Sequence, residues 1–334
     1  MVKDINTGSE GSLGFCSFAS LDDGTGYFLA DDGIHGDELW KTDGTESGTL
    51  MVKDIWPGNN NPGHIGDLVT IEDMLYLSAG DGTNGMELWK SDGTTLGTTM
   101  VKDINSGSES SHPHWFATFG GELYFAAYDG IHGLELWKSD GTTSGTVMVK
   151  DINSGSGNSV IEMSPTVVGS TLFFNANDGI HGEELWKTDG TASGTVMVKD
   201  IRTREPDYGV SQMIAFGNTL YFTVEDNSHG HELWKSDGTE IGTVMVKDIW
   251  PGVNSIHISL GVVFGDTLYF TANDRTHGTE LWKSDGTEIG TVMVEDVRVG
   301  SPGSWPGWLT VFGNALYFSA DDGESGDEVW KYSF

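Results

Sequence analysis

The sequence predicts an all-β fold, a seven-bladed β-propeller of four-stranded antiparallel blades. The main observation is a phrase, Glu-Leu-Trp-Lys-(Ser/Thr)-Asp-Gly-Thr followed by Met-Val-Lys-Asp-Ile, which recurs throughout the 334 residues. A fixed period indicates stacked copies of one supersecondary unit, which buries its apolar faces only against its neighbours. The 48 glycines supply turns, and no apolar run is long enough to span a membrane. The tryptophans of the phrase are 48 or 49 residues apart, at Trp40, Trp89, Trp137, Trp186, Trp234, Trp282 and Trp330.

The third repeat shows how one blade is organised. Residues 114–119 and 123–127 are rich in apolar and aromatic side chains, which predicts a first and a second strand. Gly120 and Gly121 join them in a hairpin. The remaining predicted elements are a loop at 129–133, a third strand at 135–138, a turn at 140–145 and a fourth strand at 147–152.

The first two strands of this repeat are apolar on both faces, as in residues 115–117 and 123–125. A blade of this kind needs a neighbour on each side. Sheets stacked around an axis meet that requirement, and closing the ring protects the edges that an open sheet exposes. The alternative architecture is an open solenoid, which normally carries polar capping repeats. Neither end of this chain resembles such a cap.

The two ends of the chain predict how the ring closes. Residues 1–5 read Met-Val-Lys-Asp-Ile, which is a lone fourth strand, and the repeat that contains Trp330 ends without one. We therefore expect the N-terminal strand to complete the last blade, so that residues 1–334 form a single propeller domain and a monomeric ring. Because the chain begins inside a repeat and shows no signal peptide, we expect a mature or excised segment that can belong to a longer chain.

The charge of the chain limits its partners. Fifty acidic and 17 basic side chains give a formal charge of −33. A field of this sign repels phosphate backbones and anionic membranes, so we expect no nucleic acid partner and no membrane insertion. It suits divalent cations, cationic partners or a salty habitat, and it also serves solubility alone. The single cysteine excludes an intramolecular disulfide.

The repeated phrase resembles that of the bacterial ELWxxDGT-repeat family, and the resemblance covers all seven units. It implies a propeller-forming protein that is secreted or exposed at the cell surface, and it implies no catalytic residues. The chain departs from the pattern near the proposed closure. Asp-Gly-Thr is absent after Trp330, and Glu295 replaces the usual lysine.

The (Ser/Thr)-Asp-Gly-Thr segment predicts a turn, and it also resembles the Asp-box hairpin of sialidase-like propellers without its trailing tryptophan. We expect the aspartates to accept backbone N–H bonds within the turn, beside glycines that tolerate positive φ. The repeated tryptophans are expected to pack between blades. The turn aspartates are Asp43, Asp92, Asp140, Asp189, Asp237 and Asp285.

A second recurring segment, Asp-Gly-x-His-Gly-x-Glu, is a candidate calcium site. Oxygen-bearing side chains in a glycine-rich loop suit calcium, whereas a zinc site would need its histidine in every copy, and Asn84 and Ser325 replace it in two. The alternative is a hydrogen-bonded turn without metal. The candidate ligands are Asp32, Glu38, Asp81, Glu87, Asp129, Glu135, Asp178, Glu184, Asp226, Glu232, Asp274, Glu280, Asp322 and Glu328.

Ligand specificity is expected where the repeats differ, because positions shared by every unit most simply serve the scaffold. The repeats differ most between a fourth strand and the next first strand, where aromatic, histidine and arginine side chains occur. Such side chains suit stacking on sugar rings or contacts with a protein partner, and the alternative is ordinary loop residues. The candidates are His64, His114, Trp115, Arg202, Arg204, Tyr208, His257, Trp305 and Trp308.

Catalysis needs a unique cluster of groups with divergent pKa values, and each repeated carboxylate has near-equivalents in the other units. The sequence therefore predicts a non-catalytic extracellular binding, adhesion or scaffold propeller that recognises glycans or surface proteins and requires no cofactor. The alternatives are a structural repeat module of a larger surface protein and a polysaccharide-active enzyme, either lyase or hydrolase. The best non-repeating catalytic set is His112, His114, Arg202, Arg204, Glu205 and Tyr208.

Overall fold

A computed structural model describes residues 1–7, 11–13, 17–57, 66–160, 165–201, 209–252 and 258–333. All regular elements in these residues are β-strands, and they form seven antiparallel sheets, which confirms the all-β, seven-bladed prediction. None of these residues belongs to a helix of the length and apolarity needed to cross a membrane. The chain divides into two compact units, residues 1–163 with 190–192 and residues 164–189 with 193–334. The single-domain prediction is not tested by this division.

The first unit contains blades 1 to 3, each with four strands in chain order. Blade 1 consists of β1 (Phe18–Ser20), β2 (Gly26–Asp31), β3 (Asp37–Thr42) and β4 (Leu50–Lys53). Blade 2 consists of β5 (Gly66–Ile71), β6 (Met74–Gly80), β7 (Met86–Ser91) and β8 (Thr99–Lys102). Blade 3 consists of β9 (His114–Phe119), β10 (Glu122–Tyr128), β11 (Leu134–Ser139) and β12 (Val147–Lys150).

The second unit contains blades 4 to 7. Blade 4 consists of β13 (Thr166–Val168), β14 (Thr171–Asn177), β15 (Glu183–Thr188) and β16 (Val196–Lys199). Blade 5 consists of β17 (Ser211–Phe216), β18 (Thr219–Asp226), β19 (Gly230–Ser236) and β20 (Val244–Lys247). Blade 6 consists of β21 (Ser259–Phe264), β22 (Thr267–Asn273), β23 (Thr279–Ser284) and β24 (Val292–Glu295). Blade 7 has three strands, β25 (Gly307–Phe312), β26 (Ala315–Asp321) and β27 (Asp327–Ser333).

The strands follow the predicted pattern closely in blade 3. The hairpin between β9 and β10 turns at Gly120 and Gly121, whose φ angles of 62° and 81° lie in the left-handed region that glycine tolerates. Strand β12 ends at Lys150 and not at 152 as predicted. The reason is that the backbone N–H of Ile152 leaves the ladder and donates to the carboxylate of Glu135 at 2.9 Å.

The core lies between blades. The second strands bury five consecutive residues in blades 2 to 6, as the two-sided apolar pattern of these strands predicts. In the first unit, Leu29 and Leu39 of blade 1 cluster with Leu75, Leu77 and Trp89 of blade 2. The tryptophans of the phrase in blades 1 to 6 are buried, which confirms their packing role.

The lysine of the fourth strand ties blades 1, 2, 4 and 5 to the blade that follows each of them. Lys53 lies 5.5 Å from the ring centre of Trp89 and donates to the carbonyl of Thr98 at 2.7 Å. Cation–π stacking and a charged donor thus act on the same neighbouring blade. The (Ser/Thr)-Asp-Gly-Thr turn is also confirmed as a folding element. In blade 1, the Asp43 carboxylate accepts from the backbone N–H and hydroxyl of Thr45, at 2.9 and 2.7 Å.

The predicted closure of blade 7 by residues 1–5 stays a prediction, because these residues and blade 7 belong to different units. Residues 1–5 belong to no strand, and blade 7 keeps three. Residues 1–5 dock on blade 1, where Lys3 lies 5.8 Å from the ring of Trp40 and donates to the carbonyl of Thr49 at 2.7 Å. These are the contacts that Lys53 makes with the following blade.

Candidate functional site

The aspartate of the Asp-Gly-x-His-Gly-x-Glu loop binds its own loop. One Asp32 oxygen accepts the backbone N–H groups of Ile34 and His35, both at 2.9 Å, and the other lies 2.8 Å from His35 Nδ1. Burial works to raise the pKa of Asp32, but the hydrogen bonds from His35 and Ile34 outweigh it and hold the pKa below its ordinary value. The side-chain hydrogen bond between Asp32 and His35 raises the pKa of His35. The pairs recur at Asp129–His132, Asp178–His181, Asp226–His229 and Asp274–His277.

The loops without histidine keep the same turn. In blade 2, the Asn84 side-chain amide donates to Asp81 at 2.8 Å. In blade 7, the backbone N–H of Ser325 donates to Asp322 at 2.7 Å. The hydrogen-bonded turn, which was the alternative to the calcium site, is therefore formed in blades with and without histidine. Each histidine of these loops binds the aspartate of its own loop.

The glutamate of the same segment has a different role in blades 1 to 6. The Glu135 carboxylate is buried and accepts from the N–H of Ile152 at 2.9 Å and from the Ser159 hydroxyl at 2.6 Å. Burial raises the pKa of Glu135 to about 7, against the opposing effect of those hydrogen bonds. Equivalent carboxylates accept from the backbone N–H of the second residue after the fourth strand at Glu38, Glu87, Glu184, Glu232 and Glu280. Glu328 of blade 7 is exposed.

The two carboxylates of each segment thus bind different partners, one within the loop and one at the end of the fourth strand. Across the described residues, no group of three or more His, Cys, Asp or Glu side chains is placed to hold a metal ion. One carboxylate oxygen of the Lys-Asp-Ile aspartate is nevertheless buried without a hydrogen-bond partner in five blades, and calcium stays a prediction. These aspartates are Asp54, Asp103, Asp151, Asp248 and Asp296.

Five of the nine predicted ligand-binding residues lie outside the described residues, namely His64, Arg202, Arg204, Tyr208 and His257. The other four fall into two pairs in different units, His114 with Trp115 in blade 3 and Trp305 with Trp308 in blade 7. Each pair is therefore considered as a separate site.

The blade 3 pair is held by its own unit. The His114 ring lies 4.1 Å from the Trp115 ring, and His114 Nδ1 lies 2.6 Å from the carbonyl of His112. The backbone N–H of Trp115 donates to the carboxylate of Asp67, in blade 2, at 2.5 Å. Trp115 is only partly exposed, so this pair offers a limited surface to a ligand.

The blade 7 pair lies on an open surface. Trp305 is 57% exposed and Trp308 is 90% exposed. Both residues have left-handed backbones, with φ of 51° and 56°. Such a conformation costs a non-glycine residue about 1–3 kcal/mol, and residues of this kind cluster at ligand sites. The Trp305 indole is fixed by a bond to the carbonyl of Pro302 at 3.0 Å.

A cavity of about 290 Å³ adjoins Trp308, between the first strands of blades 6 and 7. One wall is shaped by Gly261, where an added Cβ would come within 2.6 Å of Leu309 and 2.8 Å of the Tyr269 carbonyl oxygen. We call this cavity, together with Trp305, the first-strand cleft. It is lined by Ser259, Leu260, Gly261, Thr271 and residues 306–310.

The ladder opens beside the cleft. Gly307 pairs with Ser319 and Thr310 with Tyr317, so Trp308 and Leu309 form a bulge outside the register. Bulges re-aim side chains, and this one leaves Trp308 exposed while Leu309 packs against the core.

Sequence reasoning missed the polar contacts that link first strands. The side-chain oxygen of Asp67 accepts from the N–H of Trp115, and that of Gln212 accepts from the N–H of Leu260 at 2.7 Å. In both cases acceptor and donor are 48 residues apart, which is one repeat. The polar side chains of Asp67 and Gln212 occupy the same position of the repeat, and that was the only sign of these contacts in the sequence.

No family model and no curated protein matches this chain. Its fold is similar to that of solved hydrolases. A prolyl endopeptidase is 12% identical over 95% of this chain and 48% of its own, with a TM-score of 0.49. A puromycin hydrolase is 14% identical over 94% and 51%, with a TM-score of 0.44. Prolyl oligopeptidase B from Galerina marginata is 10% identical over 97% and 49%, with a TM-score of 0.46.

These neighbours correct the functional prediction. The chain spans about half the length of the solved chains it matches, and those chains are hydrolases rather than adhesion or scaffold proteins. The predicted non-catalytic extracellular binding or adhesion propeller, with its two alternatives, is therefore withdrawn. At 10–14% identity the likeness describes the fold, and it transfers no activity to this chain.

Proposed function

We propose that the first-strand cleft recognises an extended, neutral or cationic peptide segment. The observation that carries this proposal is the exposed Trp308, which lines a cavity, together with the exposed Trp305 three residues earlier. Leaving two large aromatic surfaces in water forgoes the burial that tryptophan side chains normally obtain. Backbone strain at the same two residues is kept only where the surrounding structure imposes it. His112 and Trp115 have the same conformation at the equivalent positions of blade 3. The exposure of the two indoles is therefore the feature that favours a ligand that covers them.

The chemistry of the cleft favours a peptide. Indole rings stack on aromatic and proline rings and attract cationic groups, and Trp and Arg are typical anchors of binding interfaces. The formal charge of −33 repels acidic ligands and attracts basic ones. Ser259 and Thr271 add hydroxyl groups to the lining, which can pair with polar main-chain groups.

An array of blocked hexapeptides, with proline, aromatic or arginine residues at the central positions, tests the proposal. We expect a subset of these peptides to bind, and Trp308→Ala to weaken the tightest of them by at least about tenfold. Ile289→Ser is a matched control, because Ile289 is 91% exposed in the same unit but lies in a turn of blade 6. An array without binders, or equal binding by Trp308→Ala, would overturn the proposal.

The predictions of family, localisation and calcium binding are kept as secondary proposals. We propose that the chain belongs with the ELWxxDGT-repeat proteins and that it is secreted or exposed at the cell surface, on the support of the repeated phrase alone. Calcium binding is supported by the buried carboxylate oxygens of the Lys-Asp-Ile aspartates. Calorimetry with calcium and with chelator tests it, and an unchanged melting temperature would reject it.

A further inference from the structure

The first strands of neighbouring blades are linked by one recurring hydrogen bond. In blades 2 and 3 the Asp67 side chain accepts from the N–H of Trp115. In blades 5 and 6 the Gln212 side chain accepts from the N–H of Leu260. The two acceptors occupy equivalent positions of the repeat, and so do the two donors. At this position the sequence of one blade therefore supplies the partner for an amide of the next.

Blades 6 and 7 lack this acceptor. The residue one repeat before Trp308 is Leu260, whose side chain cannot accept a hydrogen bond. The bond that restrains the amides of Trp115 and Leu260 is thus missing for Trp308. Leu260 and Trp308 both line the first-strand cleft, so the cavity lies where blades 2 and 5 place the acceptor side chains Asp67 and Gln212.

We propose that the Trp308 N–H is the polar anchor of the cleft and donates to a main-chain carbonyl oxygen of the bound peptide. The carbonyl takes the place that the Asp67 and Gln212 side-chain oxygens fill in the other blades. A neutral carbonyl suits the site better than a carboxylate, because the protein field disfavours an added negative charge. This inference rests on the proposed peptide recognition and assigns the atom that would orient the peptide.

The test transplants the blade 5 residue into blade 6. Leu260→Gln places an acceptor in the cleft, and Leu260→Met is the matched control, because it has a similar length without a strong acceptor. We expect Leu260→Gln to weaken the tightest hexapeptide of the array about fivefold to tenfold, and Leu260→Met to change it less than twofold. Amide hydrogen exchange at Trp308 should slow in Leu260→Gln and stay unchanged in Leu260→Met.

The outcomes separate the two proposals. Loss of binding in Trp308→Ala with equal binding by Leu260→Gln and Leu260→Met would overturn the anchor and leave peptide recognition standing. An array without binders would overturn both. Slower exchange at Trp308 without weaker binding would show that glutamine captures the amide but that the peptide does not use it, which also overturns the anchor.

Discussion

Blades 3 and 7 carry the same repeat but differ in what their neighbours supply. In blade 3, Glu135 is buried and accepts from Ile152, and the N–H of Trp115 donates to Asp67. In blade 7, Glu328 is exposed. Leu260, which lies one repeat before Trp308, has no side-chain acceptor for the Trp308 N–H. A shared sequence therefore has two structural outcomes, which depend on the partners present.

The difference shows where function can arise in a repeat protein. A residue that the next strand or blade covers or hydrogen-bonds contributes to stability. Where that partner is missing, the residue at the same repeat position becomes accessible to a ligand. The repeated glutamates and tryptophans of the described blades 1 to 6 belong to the first kind. Trp308 belongs to the second kind, since it is exposed and lies outside the ladder register.

The largest expected effect is on the pH dependence of stability. Burial raises the pKa of Glu38, Glu87 and Glu135 to about 7 and that of Glu232 to about 8. The ordinary pKa of glutamate, which applies in the unfolded chain, is 4.5, so the folded protein binds more protons than the unfolded chain between these values. The contribution of these glutamates to the free energy of unfolding is therefore complete below about pH 4.5, and it is lost as the pH rises towards 7 to 8.

The loop histidines act in the same direction. Their pKa values are raised above 6.5 by the aspartate bond, so their contribution is present below pH 6.5 and lost as pH rises through the folded value. Urea unfolding between pH 5 and 8 should show that the free energy of unfolding falls as the pH rises. The slope should correspond to a difference of at least about two bound protons between the folded and the unfolded protein. Glu135→Gln should reduce that slope by about one proton, whereas Glu328→Gln should leave it unchanged. A flat or rising profile would contradict this prediction.

A smaller effect is expected from removing a single buried acceptor. Glu135→Ala leaves the N–H of Ile152 and the Ser159 hydroxyl without their carboxylate, and we expect a loss of about 2–4 kcal/mol. Glu328→Ala removes an exposed carboxylate and should change stability by less than about 0.5 kcal/mol. Urea unfolding at pH 5 measures both. Equal losses in the two variants would show that blades 3 and 7 do not differ in the way described.

Blade 3 can also be made to resemble blade 7 at the first strand. Asp67→Leu removes the acceptor of the Trp115 N–H and should cost about 1–2 kcal/mol of unfolding free energy. Asp67→Asn keeps an acceptor oxygen and should recover most of that loss. Faster amide exchange at Trp115 in the leucine variant alone would locate the effect, and equal exchange in both variants would contradict it.

Much of the fold could be predicted from the sequence, because the period of 48 or 49 residues and the strand patterns depend on local chemistry. The turn of Asp43 and the packing of Trp40 follow for the same reason. The roles of Asp32 and Glu38 could not be separated, since the buried glutamate is paired with the N–H of Ile55, which lies beyond the end of β4. The site was predicted only as exposed aromatics. Its cavity depends on tertiary contacts of Gly261, and its anchor depends on comparing the blades.

The smallest expected effect concerns the junction of blades 6 and 7, where Glu295 occupies the position that lysine holds in the other fourth strands. In blade 1 that lysine, Lys53, both stacks on Trp89 and donates to Thr98. We expect Glu295→Lys to regain the stacking on Trp330, the tryptophan of the phrase in blade 7. We expect a gain of about 0.5–1 kcal/mol from the cation–π contact, measured by urea unfolding at low salt. Glu295→Gln controls for the removed negative charge, and an equal gain in both variants would assign the effect to charge alone.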